Sequence, residues 1–287
     1  MGADSKVTPD ASVSIDLLPA VIDAGVADAP IGGAAGFDGS TDGGGNAAAD
    51  GAGSDATVGM AVDTGAKAAL VLGTFTHVRS PDWSFSESAE LATARATLES
   101  AFSITWRATD DLTALATSDA QGVILGSGAH DNNVSISVLS SAEQTALASY
   151  VNAGHFAIIL TDNDGFHDGN ESLAMTFGLT TSGTLGDLQT ATVTQAHAIT
   201  AGLTTFSLWW PGSVSGESTK STVLATTSLG TLLMVFEKGA LAPGSGVVIE
   251  MADQAQFLDS VPFGVTPEGG ALAKKLLLNM VHYASGL

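Results

Sequence analysis

The sequence predicts an α/β domain: a mostly parallel sheet with helices on both faces, a strand-rich second half with some antiparallel hairpins, and a disordered N-terminal tail. Short apolar runs such as KAALVLGT and HFAIILT alternate with stretches whose apolar residues recur at helical spacing, the pattern of strands buried on both sides by crossover helices. Beyond residue 190 the strand-like runs are short and separated by Gly, Pro and Ser, as in hairpins. The first 66 residues hold ten Asp, one Lys and a single aromatic, Phe37, too little apolar surface to offset the entropy of ordering them.

The elements follow in order. Lys67 to Thr74 reads as a buried strand, and Glu87 to Phe102, with Leu91, Ala94, Leu98 and Phe102 on one face, as the helix after it. Ser103 to Thr109 and Gln121 to Gly128 are the second and third strands. Ser140 or Ser141 caps a helix through Val151, because Glu143 stands where a capping box needs it. Gly154 ends that helix and His155 to Thr161 is the fourth strand. Strand, helix, strand, repeated with right-handed crossovers, gives a flavodoxin-like or Rossmann-like parallel sheet. Thr190 to Gln195, Ser221 to Thr227, Thr231 to Gly239 and Gly246 to Met251 are the later strands, and Gly269 to Ser285 is a closing amphipathic helix. Residues 67–287 are therefore one domain, and residues 1–66 an acidic Gly/Ala/Asp-rich spacer with a candidate contact element around Ile15 to Ile22.

Composition narrows the function. With nine basic against 30 acidic residues and a formal charge of −21, nucleic acid and anionic membrane are poor partners. The absence of cysteine removes disulfides, thiolate metal sites and a Cys nucleophile. No apolar run reaches the length of a membrane span, and no Walker loop, Gly-x-Gly-x-x-Gly after the first strand or Gly-x-Ser-x-Gly occurs. The tail resembles the spacer after the lipid-bearing cysteine of bacterial surface lipoproteins, with Met1 where a processed signal ended. That implies an extracytoplasmic location, with a cytoplasmic protein bearing an acidic tail as the alternative.

GVILGSG, then SSAEQTALASYVNAGHFAIIL, NESLAMTFGL and HAITAGL, in that order, resemble the class I glutamine amidotransferase-like superfamily, especially its ThuA-like branch without amidotransferase activity. The resemblance covers nearly all of residues 67–287 and implies an elbow after the fourth strand, where Thr161, Asp162, Asn163, Asp164 and Gly165 align with the family's Gly-x-Cys-x-Gly. Asn163 takes the nucleophile's place, and an amide does not attack a carbonyl. The family's His-x-Glu should follow the late strand, where the chain reads Glu250, Met251, Ala252, Asp253. With both halves of the triad missing, amidotransferase chemistry is excluded.

Open parallel sheets bind ligands beyond the carboxyl ends of their strands. That rule selects Thr76, His77 and Trp83 after the first strand, Ser127, His130 and Asp131 after the third, Asn163 after the fourth and Glu250 at the late one as ligand-binding candidates. Asp162 to Glu171, DNDGFHDGNE, alternates oxygen ligands with a glycine, as calcium loops do, so Asp162, Asp164, Asp168 and Glu171 are candidate ligands for calcium or another divalent cation. The competing reading is an Asx-turn that caps a helix beginning near Asn170. Trp209 and Trp210 offer rings on which sugars stack, although paired aromatics in a strand-rich region are expected to be partly core. Trp83, nearer the strand ends, is the better aromatic candidate.

The leading expectation is a non-catalytic, secreted or surface-tethered amidotransferase-like domain that binds a small polar ligand, a glycan or a protein partner at the strand ends. The alternative is a hydrolase or lyase on a sugar-like substrate, with His77, His130, Asp162 and Asp164 in acid–base roles, with or without a metal. A third expectation is a structural building block of a cell-surface assembly.

Overall fold

The computed structural model describes residues 66–127, 138–183, 188–216, 219–228, 230–260 and 267–287. All of the expected tail but Ala66 lies outside the described residues, as do His130 and Asp131.

Among the described residues, eleven strands form one mixed sheet. Its parallel half is β1 (Ala69–Phe75), β2 (Ser103–Thr109), β3 (Gly122–Gly126), β4 (Phe156–Leu160) and β11 (Val248–Met251), in the spatial order β2-β1-β3-β4-β11. This is the flavodoxin-like order, whose switch point lies between β1 and β3. Every residue of β3, β4 and β11 is buried, which is why these strands read as unbroken apolar runs rather than alternating ones. Strands β10 (Gly230–Phe236), β9 (Ser221–Thr227), β6 (Leu188–Val193) and β7 (Thr205–Trp209) extend the sheet antiparallel beyond β11. Strand β5 (Leu179–Ser182) pairs with β8 (Ser213–Gly216), which reaches β10.

The helices are α1 (Ala92–Ala101), α2 (Ser141–Asn152), α3 (His167–Met175) and α4 (Pro267–Ser285). The crossover from β1 to β2 runs the opposite way along the sheet to that from β3 to β4, so right-handed connections put α1 and α2 on opposite faces. Helix α4 packs on α1, β4 and β11. None of the helices is long and apolar enough to cross a membrane, among the described residues.

The capping box forms as predicted: the Glu143 N–H donates to Ser140 Oγ at 3.3 Å, and the Ser140 N–H to the Glu143 carboxylate at 3.0 Å. Helix α1 starts five residues later than the periodicity suggests. Ser88 Oγ donates to the Asp82 carbonyl and accepts from the Glu90 N–H, a local turn that competes with helix. Strands β5, β7 and β8 were not among the predicted strands. Much of their sequence, LTTS and SVSG in β5 and β8, is short and hydroxyl-rich, and lacks a long apolar run.

Candidate functional site at the strand ends

Past β4 the chain enters the expected elbow, and its side chains are taken up by the chain's own backbone. Asp162 is 3% exposed, and its Oδ1 accepts from the Asn163 N–H and from Asn163 Nδ2, each at 2.7 Å. Asn170 faces it from α3: its Oδ1 accepts from the Asp162 N–H and from Ser127 Oγ, and its Nδ2 donates to the Asp162 and Asn163 carbonyls. Gly169 lies against Ser127, where a Cβ would come 2.7 Å from the Ser127 carbonyl oxygen. Asn163 caps the short 3₁₀ turn Asp164–Phe166 with its Oδ1 on the Gly165 N–H, at an ordinary φ of −70°. The strained turn that presents a nucleophile is not what this backbone adopts.

Beside it, the end of β11 buries two more carboxyls. Glu250 Oε1 accepts from Thr161 Oγ1 at 2.6 Å, while Oε2 has no hydrogen-bond partner among the described residues. Asp253 caps the 3₁₀ turn Gln254–Phe257, accepting from the Gln256 N–H at 3.2 Å and from the Trp209 N–H at 3.1 Å. Burial pushes Glu250 up to about 8 and Asp162 up to about 7. It also raises Asp253 well above the ordinary carboxylate range, with the Asp162 charge adding to the effect.

The cover over this cluster is the turn from β7 to β8. Strand β7 lies four places beyond β11 in hydrogen-bonding order, yet the sheet curls far enough for Trp209 to reach Asp253. Asn163 Nδ2 donates to the Trp210 carbonyl at 3.0 Å and the Gly212 N–H to the Ala252 carbonyl at 2.9 Å. Gly212 is pressed so closely on the elbow that a Cβ would sit 2.3 Å from the Asp162 carbonyl oxygen. Trp210 is the sole non-glycine residue with positive φ among the described residues, at 54°, a conformation that costs about 1–2 kcal/mol. It is 47% exposed, and its ring stacks on that of Trp209 with centroids 5.6 Å apart and planes 23° apart.

The other candidates disperse. His77 is exposed and its Nδ1 lies 2.5 Å from Glu87, not at a carboxylate of the elbow; Thr76 accepts at its carbonyl from the Arg79 and Ser80 N–H groups. Trp83, expected to contact ligand, is instead buried at 6% exposure, above Gly126 at the end of β3. The acidic loop does not gather: Asp162 faces inward, Asp164 accepts from the Gly183 N–H at 2.8 Å, Asp168 lies exposed in the first turn of α3, and Glu171 pairs with His167 at 3.4 Å. Among the described residues no three His, Asp or Glu side chains are grouped as metal ligands would be. The Asx-turn accounts for the loop instead. Asp253 was legible as a strand-end carboxylate. The role of Trp210 was not, because it depends on a backbone dihedral and on the curl of the sheet.

No protein-family model matches the chain, and no curated protein does. Solved structures share its fold. The mmIFT52 N-terminal domain superposes with a TM-score of 0.54 at 10% identity, over 76% of this chain and 97% of that one. Cytoplasmic protein STM1381 from Salmonella typhimurium LT2 does so with 0.52 at 14%, over 75% and 98%. Cytoplasmic protein STM3548 from Salmonella typhimurium does so with 0.50 at 12%, over 75% and 98%. At such identities the likeness is one of fold alone.

Proposed function

We propose that this is a non-catalytic binding domain on an amidotransferase-like scaffold, one that engages its ligand at the rim of the strand ends. The observation that carries this reading is the enclosure of Asp162, Glu250 and Asp253: beside Asn163, which stands in the nucleophile's place, the strand ends hold carboxyls bonded to the chain's own amides and hydroxyl, beneath the Trp209–Gly212 turn. A group that works as acid or base must come within hydrogen-bond reach of a substrate proton, and these three are covered. In this reading residues 1–66 tether the domain outside the cytoplasm.

A hydrolase or lyase is the second reading, favoured by one feature: two neighbouring carboxyls with raised proton affinity, Asp162 and Asp253, are a combination that acid–base sites use. It requires the Trp209–Gly212 turn to open. Chromogenic glycosides, esters and amides incubated with the wild-type protein decide between them. The binding domain turns over none. Turnover that disappears in Asp162→Asn and Asp253→Asn, with folding intact by circular dichroism, overturns it.

A further inference from the structure

The Trp209 and Trp210 rings require explanation in their own right. Successive side chains of a strand point to opposite faces, so two adjacent indoles at the end of β7 would ordinarily diverge. The positive φ of Trp210 turns its ring back over that of Trp209, and the pair lies nearly parallel with Trp210 about half exposed. Residues held in sparsely populated backbone regions cluster at ligand clamps, and here the strained position carries the exposed ring. Leu188, paired with Trp209 across β6 and 52% exposed, extends the apolar surface. Asn163, whose side chain holds the Trp210 carbonyl, puts a polar group at its border.

We propose that Trp209 and Trp210 form a stacking platform for an uncharged pyranose ring of a glycan. This rests on the binding-domain reading above and names its ligand class. The stacked pair offers one flat aromatic face, which suits the flat array of axial C–H groups on one side of a pyranose; a quaternary ammonium ion is instead enclosed by several rings set around it. The chain's charge of −21 disfavours anionic glycans.

The test is calorimetric titration of the full chain with cellohexaose, xylohexaose, maltohexaose and chitohexaose, with heparin and tetramethylammonium chloride as the charged probes. At least one neutral oligosaccharide binds, and Trp210→Asn weakens it ~10-fold or more while keeping the wild-type urea midpoint, because Asn tolerates positive φ. Trp210→Phe retains measurable binding. The platform is overturned if no neutral oligosaccharide binds, if Trp210→Asn binds as wild type does, or if only a charged probe binds. Release of new reducing ends from a bound oligosaccharide overturns the non-catalytic reading and leaves the platform standing, so the two fail separately.

Discussion

Glu250 shows what a single buried carboxyl does to this protein. Held at about 8 against an ordinary 4.5 by burial, it keeps in the folded state a proton that the unfolded chain has already released throughout that interval. Unfolding then releases a proton, so stability is fullest below about pH 4.5 and falls as pH rises toward 8. Asp162, raised to about 7, acts with the same sign over a lower window. Glu250→Gln keeps an acceptor for Thr161 and removes the titration. Its unfolding free energy in urea should match wild type near pH 4 and exceed it above pH 8 by on the order of 5 kcal/mol; a wild-type pH slope in the variant would refute the assignment. The sequence placed Glu250 and Asp162 at the strand ends correctly, since polar residues interrupt the apolar runs there, Glu250 inside VIEM and Asp162 two residues past FAIIL. Which of those polar residues face solvent depends on what covers them. A turn from the far side of the sheet supplies the cover, and nothing local in the sequence announces it.

At the scale of elements, Glu143 ties three segments together. Its carboxylate meets Arg79 at 2.6 Å, accepts from Ser140 at the start of α2, and accepts from the Leu112 N–H of the 3₁₀ turn Leu112–Thr117. Arg79 in turn donates to the Asp110 and Val138 carbonyls and lies over the Phe75 ring. Burial alone would raise Glu143; the Arg79 bond and the Ser140 and Leu112 amides outweigh it and hold the carboxyl below its ordinary value. Glu143→Ala should cost about 3–5 kcal/mol, because it leaves a guanidinium buried without its counter-charge, and Glu143→Gln less, because the amide oxygen still accepts from Ser140 and Leu112. Urea denaturation of both variants checks the order, and equal losses would mean that the charge contributes little. The capping box was legible because Ser140 and Glu143 stand three apart in sequence. The Arg79 half was not, because its spacing of 64 residues follows no local rule.

Across the whole molecule the pH dependence has two sources, and salt separates them. Acidic groups outnumber basic ones 30 to nine, and the net charge grows more negative as pH rises. That self-repulsion acts between exposed groups and is screened as ionic strength goes from ~0.01 to ~0.15 M and the Debye length shrinks from ~30 to ~8 Å. Proton release from Asp162 and Glu250 is fixed by burial in the parallel half of the sheet, where salt does not reach. Between pH 5 and pH 9 the melting temperature should therefore fall in both buffers, less steeply at the higher salt, with a remainder that salt leaves untouched. In the Asp162→Asn, Glu250→Gln double variant that remainder should shrink to what the buried Asp253 contributes, while the salt-sensitive part persists. A wild-type slope abolished by salt alone would put the whole effect on the surface, and the strand-end carboxyls would then be ordinary acids that the folded sheet merely contains.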